Sequence, residues 1–381
     1  MLAMIPRLLE QTVRKQLFGG MAIVIYGARQ VGKTTLVKNI LADYENDGIY
    51  LNCDQPDIAS ALANKTSLEL YEYVQRKKLV IFDEAQRVEN IGITIKLLID
   101  SYPDMQIIAT GSSSFELANK ISEPLTGRAW FHKLYPLSYE EIANGDKIAA
   151  GRSLTRMLRL GTFPKMWEKD ESTAIALLNG LTTSFLFKDL LQFEQLRQAP
   201  LLTKLLQALA LQLGNEVSYA ELAKLLSVDA KTVERYIFLL EQVFIIFRLP
   251  TLKRKPRTEV SRLRKVYFYD LGVRNSLIQN FNDLSLRTDT GALWENFCIV
   301  ERLKHNDYHQ KFANYFFWRS YDKQEVDFIE ESGGNLTSFE FKWQKPDKLM
   351  RAPSGFTNLY PDSEYSVVDK ENFEQFISKD Y

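Results

Sequence analysis

The chain has 381 residues, with 48 Lys+Arg balanced by 48 Asp+Glu, 45% hydrophobic and 25% charged, which excludes disordered and fibrous classes and leaves a soluble globular chain of two to four domains. A formal net charge of zero excludes a surface that is basic throughout, so any polyanion contact must come from a local stretch. Two cysteines, Cys53 and Cys298, without a CxxC, and three histidines without ligand-like spacing support neither a disulfide framework nor a zinc site.

The start, MLAMIPRLLEQTVRKQLF, places Ile5, Leu8, Leu9 and Val13 at helical spacing and lacks a signal-peptide core. The longest apolar runs, MAIVIY and LVIF, are strand-length, far short of the ~18 residues of a membrane span. The expected setting is the cytoplasm, with no membrane partner.

Residues 21–41, MAIVIYGARQVGKTTLVKNIL, read as an apolar strand, a glycine-bearing turn and a helix from Lys33, the pattern strand–GxxxxGK[ST]–helix. Gly27 and Gly32 let the turn fold back so that the N–H groups of Gly27, Ala28, Arg29, Gln30, Val31, Gly32, Lys33, Thr34 and Thr35 converge on an anion at the positive end of the helix dipole. Lys33 is placed to reach the β- and γ-phosphates of ATP, and the Thr34 hydroxyl to ligate Mg²⁺.

The run LVIF ends in Asp83 and Glu84, at the carboxyl end of a buried strand, where open α/β sheets bind ligands. Asp83 is placed to hold Mg²⁺ through water, and Glu84 to orient or deprotonate the attacking water. Alone, the pair reads more readily as solvated acids at a strand end; the upstream GKT reverses that reading. A third strand, MQIIATGSSS, offers Thr110, Ser112 and Ser113 as γ-phosphate sensors, with Ser112 assigned to the nucleotide site. Further on, Arg128 after Thr126-Gly127 is the candidate for an arginine offered to a neighbouring subunit of a homo-oligomer, against the plainer role of a surface ion pair.

From 151 to 213 the pattern is helical, interrupted by Gly161 and Pro164, and reads as a lid or connector that could supply Arg152, Arg156 or Arg159 to the γ-phosphate. In VSYAELAKLLSVDAKTVERYIFLL, Ser218 caps a helix Tyr219 to Leu226, Ser227-Val228-Asp229 turn, and a second helix starts at Ala230. With FIIFRL and KVYFYD as pairing strands this is a winged helix-turn-helix. In a major groove, Lys231, Thr232, Arg235 and Tyr236 would meet DNA; the alternative is internal packing or protein contacts. Arg248, Lys253, Arg254, Lys255, Arg257, Arg262, Arg264 and Lys265 accompany a single acid, Glu259, so DNA contact is expected within residues 230–265 and the C-terminal domain.

After the 289–291 turn, ALWENFCIVERLKH is an amphipathic helix, and YFFWRS, EVDFIEE, LTSFEFKW and YSVVD are strands, the middle two joined by a Ser-Gly-Gly-Asn hairpin signal. Asp327 falls on one strand of the hairpin, and Glu340 and Lys342 on one face of the other. This is the acid…ExK constellation of the restriction-endonuclease-like fold, in which Asp327 and Glu340, with Glu295 as a further ligand, would hold a metal and Lys342 would act catalytically. Retention of these acids for folding or binding alone is the alternative.

GARQVGKTTL, LVIFDEAQ, IIATGSSS, LTGRAWFHKLYPLSYEEI and LRLGTFPKMW, followed by KVYFYDLGVRNSL, GALWENFCIVERL and EVDFIEE…FEFKW, resemble in this order the AAA-type ATPases of bacteria and archaea that carry a poorly characterised C-terminal domain. The resemblance implies an α/β chain: an AAA-type P-loop ATPase domain over 1–150, a helical lid over 151–213, a winged helix-turn-helix over 214–270 and a restriction-endonuclease-like domain over 271–381. It also implies nucleotide binding at Gly32, Lys33, Thr34, Asp83 and Glu84, with Arg128 as the finger. Together with the basic stretch and the helix-turn-helix pattern, it makes MgATP hydrolysis coupled to DNA binding the expected function; the alternative is an ATP-dependent protein-interaction regulator with an inactive nuclease-like domain.

Overall fold

The structure, a computed structural model, describes residues 5–112, 124–182, 199–252 and 264–378. Ser113 and the basic residues Lys253, Arg254, Lys255, Arg257 and Arg262 lie outside them. The chain divides into two compact units, Met1–Leu137 with Gln242–Phe244, and Ser138–Glu241 with Ile245–Tyr381. Residues 138–150 of the expected ATPase domain, the helical connector, the C-terminal domain and, apart from Gln242–Phe244, the expected winged helix-turn-helix fall in the second unit.

In the first unit, helix α1 (Leu8–Gln16) precedes β1 (Ala22–Tyr26), α2 (Lys33–Leu41), β2 (Gly48–Asn52), α3 (Pro56–Leu62), α4 (Ser67–Tyr73), β3 (Leu79–Asp83), α5 (Ile91–Ser101), β4 (Gln106–Gly111) and β5 (Ala129–Lys133). The strands pair in the order β2-β3-β4-β1-β5, every pairing parallel. Parallel pairing leaves both faces to be covered by helices, so strands such as LVIFD are buried along their whole length. Val24, Val80, Phe82, Ile107 and Ala109 of the sheet join Leu62, Leu70, Ile95 and Leu98 of the helices in one apolar core. Because β4 lies between β1 and β3, the turn after β1 and the acids after β3 flank the tip of β4 at one edge of the sheet.

The second unit carries a set of helices, among them Tyr219–Leu226 and the consecutive Ala230–Gln242, an antiparallel ribbon of β6 (Ile246–Pro250) and β7 (Arg264–Phe268), and a four-stranded sheet. In that sheet β8 (Asn314–Arg319), β9 (Glu325–Ser332) and β10 (Asn335–Phe341) pair antiparallel, and β11 (Glu364–Val368) adds to β10 in parallel. The long helix Thr290–Tyr308 is tied to the sheet by a buried pair in which Arg302 Nε and Nη2 each donate to Glu330 at 2.7 Å, while Nη1 donates to the Phe376 and Ile377 carbonyls. A planar guanidinium matches a carboxylate in two parallel bonds, which fixes the relative rotation of helix and strand.

Helices Leu154–Leu160 and Leu271–Leu277 approach each other at two glycines. A Cβ on Gly272 would stand 2.1 Å from the Leu160 carbonyl oxygen, and one on Gly161, whose φ is +72°, 2.1 Å from the Asp270 carboxylate. That carboxylate accepts the N–H groups of Thr162 and Val273 and is buried. Gly161→Ala is therefore expected to destabilise the second unit by more than about 2 kcal/mol through overpacking and positive-φ strain, read as a lowered urea midpoint with the nucleotide unit's transition unmoved.

Candidate functional site

The turn after β1 is held from two sides. Gly27, at φ +155°, passes so close to the end of β5 that a Cβ there would lie 2.1 Å from the Leu134 carbonyl oxygen, so only glycine fits. From the other side the buried Arg7 guanidinium donates to the Val31 carbonyl at 2.5 Å and the Tyr135 carbonyl at 2.7 Å. Gly32, at φ +100°, forms the N-cap of α2, whose Leu36, Val37 and Ile40 are buried. Ala28 and Val31 are buried, Arg29, Gln30 and Thr34 half-buried, and Thr35 exposed. The buried Lys33 ammonium donates to the Gly27 and Ala28 carbonyls at 2.8 and 2.9 Å, which keeps a cation against the turn.

Three hydroxyls from three elements converge on Asp83. Thr34 Oγ1 of α2 donates to its Oδ2 at 2.8 Å, Tyr50 of β2 donates to the same oxygen at 2.5 Å, and Thr110 of β4 donates to Oδ1. Asp83 is 3% exposed, and these donors replace the water a buried carboxylate would otherwise lose. Thr34 and Asp83 together are a hard-oxygen donor set suited to Mg²⁺. Glu84 turns into the left-handed region at φ 53°, an uncommon conformation for a non-glycine residue that re-aims the side chain beyond the strand end. Its N–H donates to Thr110 Oγ1 at 3.1 Å, and its carboxylate accepts Gln86 Nε2 at 2.5 Å, which also donates to Ser112 Oγ at 3.2 Å. Of the three candidate sensors, Thr110 is thus committed to Asp83 and Ser112 is linked to Glu84.

Arg128 is not brought to this edge. Its carbonyl accepts the Ala22 N–H at the amino end of β1, about 16 Å of strand from the turn, and its guanidinium pairs with Asp100 at 2.8 Å. Two of the three lid arginines are engaged elsewhere: Arg156 donates to the Met166, Trp167 and Lys169 carbonyls, and Arg159 to those of Phe281 and Asn282 and to Glu171, whereas Arg152 is exposed.

Two expectations about the basic stretch and its helix are corrected. Tyr236 is buried and cannot reach DNA, because it lies on the apolar face of its helix with Val233, Ile237 and Leu240. Lys265 is 2% exposed, Arg248 pairs with Glu241 at 2.5 Å, and Arg264 lies over the Tyr219 ring; these three cations hold the ribbon and helices together instead of contacting phosphate. Lys231 and Arg235 remain exposed, and Thr232 is taken up by the Asp229 cap.

The C-terminal carboxylates surround Lys265 rather than a metal. The Lys265 ammonium on β7 lies 3.0 Å from Glu295, 2.5 Å from Glu325 and 3.7 Å from Asp327, and Tyr267 donates to Glu295 at 2.5 Å. Asp327 Oδ2 accepts the Phe341 N–H at 3.0 Å, and Lys342 pairs with Glu340 at 2.7 Å. Burial alone would lower the Lys265 ammonium, but Glu295, Asp327 and Glu325 together raise it above an ordinary lysine. Burial pushes the Glu295 carboxyl up to about 7, and burial also raises Asp327 and Glu340. Among the described residues, Glu295, Asp327 and Glu340 do not bring three ligand oxygens within 4.8 Å of one another. As arranged, this set does not fit the expected metal, since a lysine already neutralises it. The only cluster of that kind among the described residues is Glu140, His305 and His309, so the reading that the histidines lack ligand-like spacing is corrected: positions four apart share one helix face.

A family model for an AAA domain matches residues 20–143. This stretch, which holds the glycine turn, Asp83 and Glu84, is similar to an AAA domain. Two further models, each described as a domain of unknown function, match residues 151–284 and 290–379. Among similar chains, an uncharacterised protein of Mycobacterium tuberculosis is 27% identical over 347 residues, 89% of this chain and 74% of the relative. One of Methanocaldococcus jannaschii is 24% identical over 327 residues, 80% and 71% of the two chains. A solved structure, the Walker-type ATPase of Pyrococcus abyssi, aligns with 72% of this chain and 96% of its own at a TM-score of 0.50 and 17% identity, a likeness of fold.

Arg7, Tyr50, Gln86, Tyr267 and Glu325 were missed by sequence reasoning. Arg7 and Tyr50 carry no spacing signal, because they reach the site from other elements, Arg7 from just before α1 and Tyr50 from the neighbouring strand β2. Lys265 was misread because a lysine in a basic run gives no sign of burial. Lys265→Met would leave Glu295, Glu325 and Asp327 buried without their cation and is expected to cost about 3–5 kcal/mol in chemical denaturation, with part of the loss recovered when Glu295→Gln is added.

Proposed function

We propose that the AAA domain binds and hydrolyses MgATP. The observation that carries this reading is the gathering of the glycine turn, Asp83, Glu84 and the tip of β4 at one edge of a parallel sheet. The triphosphate meets the N–H groups of residues 27–35 and the amino end of α2, and Lys33 exchanges its two carbonyl partners for the β- and γ-phosphates. Mg²⁺, held by Thr34 and, through water, by Asp83, offsets phosphate charge. Glu84 accepts a proton from the attacking water, with Ser112 near the γ-phosphate and Gln86 keeping the Glu84 carboxylate in place. Arg128, at the far edge of its own sheet, acts on the nucleotide of a second copy.

For the second unit, we propose a restriction-endonuclease-like domain that does not cleave nucleic acid and serves an ATP-dependent interaction. Its support is Lys265, which neutralises the carboxylates that a metal would need. DNA coupling, the other reading, rests on the exposed Lys231 and Arg235 of the second helix of a winged form.

Lys33→Ala is expected to abolish nucleotide binding, whereas Glu84→Gln keeps binding and loses about 100-fold or more in turnover; wild-type rates in both would end the assignment. If Arg128 acts between copies, Arg128→Ala and Lys33→Ala proteins, each inactive, regain partial activity when mixed. ATP turnover is expected to be unchanged by linear, supercoiled or single-stranded DNA, with no metal-dependent cleavage. Stimulation by DNA would instead support the DNA-coupled reading.

A further inference from the structure

The AAA site leaves one chemically distinct cluster unused. On the long helix of the second unit, His305 and His309 are four residues apart, so their rings lie on one face, with centroids 4.3 Å apart. Glu140 faces both: its Oε2 lies 3.1 Å from His305 Nδ1 and 3.1 Å from His309 Nε2, and its Oε1 lies 3.0 Å from the latter. We propose that Glu140, His305 and His309 form a binding site for a zinc ion, with water completing the coordination.

Zinc takes imidazole nitrogen and carboxylate oxygen at about 2.0–2.2 Å in a tetrahedron, whose edges are then about 3.3–3.5 Å. The donor separations of 3.0–3.1 Å are already near that edge, so a cation replaces the protons between these atoms with little movement of the backbone. Two imidazoles and one carboxylate favour zinc over the oxygen-seeking Mg²⁺ and Ca²⁺.

The ligands are held in place by the surrounding structure. Glu140 sits in a short helix, Tyr139–Ala143, capped by Ser138 and Glu141 in a reciprocal box. The preceding N–H, of Tyr139, donates to Glu301 at 2.6 Å, one turn before His305 on the same helix face. One group opposes binding. The Lys311 ammonium lies 2.9 Å from His305 Nε2, which directs the ring's proton to Nδ1, the donor atom, and must swing away when the ion binds. Metal occupancy would fix the segment after Leu137 to the long helix, a structural clamp within the second unit.

The test uses the full chain, stripped with chelator and titrated with Co²⁺ as the probe and then with Zn²⁺ in competition, without nucleotide. The expected result is one equivalent bound with a visible d–d spectrum, displaced by Zn²⁺ and undisturbed by millimolar Mg²⁺. His309→Gln, at a position 40% exposed where the fold is not at risk, and Glu140→Gln each weaken binding about 100-fold or more, whereas Lys311→Met tightens it. Absence of a stoichiometric equivalent in the wild-type protein, or equal binding in wild type and both weakening variants, overturns the proposal. Either outcome leaves the ATPase reading untouched, because no nucleotide residue is changed.

Discussion

Everything at the nucleotide edge depends on the parallel pairing of β4 between β1 and β3. Parallel strands all point their carboxyl ends the same way, so insertion of β4 brings the turn after β1 and the acids after β3 to one rim, separated by a single strand. The spacing of that rim is what allows Thr34, leaving the turn, to reach Asp83 across the β4 tip, and Thr110 to bond both Asp83 and the Glu84 N–H. Tyr50 closes the arrangement from the edge strand β2. Loss of one such hydrogen bond costs only about 1 kcal/mol, so the rim owes its geometry to the sheet and its preorganisation to the hydroxyls.

Cations inside the protein are used in two contrasting ways. In the AAA domain, Lys33 rests on carbonyl oxygens, partners that are neutral and can be exchanged for phosphate. In the second unit, Lys265 rests among carboxylates, where a buried charge pair is costly to break because each member left behind would stand unpaired in a low-dielectric surrounding. The first arrangement is poised for exchange with an anionic ligand. The second ties Lys265 to three acids on the long helix and β9, Glu295, Glu325 and Asp327.

Motif spacing was legible wherever the chemistry is local. GARQVGKTT announces its turn because the glycines, the lysine and the threonine act on one ligand within a few residues, and the Ser218 cap with the Asp229 turn marked the two helices of the helix-turn-helix. What could not be read was burial of charge. Arg248, Arg264 and Lys265 lie in one basic run, yet each finds a partner from another element. Tyr236 shares the problem in reverse, since its helix was assigned an exposed reading face before the packing against it was known.

The sequence by itself determined the nucleotide turn and the strand-end acids, because each is a matter of a few consecutive residues obeying a fixed backbone period. Only the tertiary structure decided that Arg7 and Leu134 clamp that turn, that Arg128 stands at the opposite edge, that Lys265 fills the C-terminal carboxylate cluster, and that Glu140 meets the two histidines. Those contacts join residues distant in the chain. Their energy comes from removing charge from water in company, and no local pattern records who the company will be.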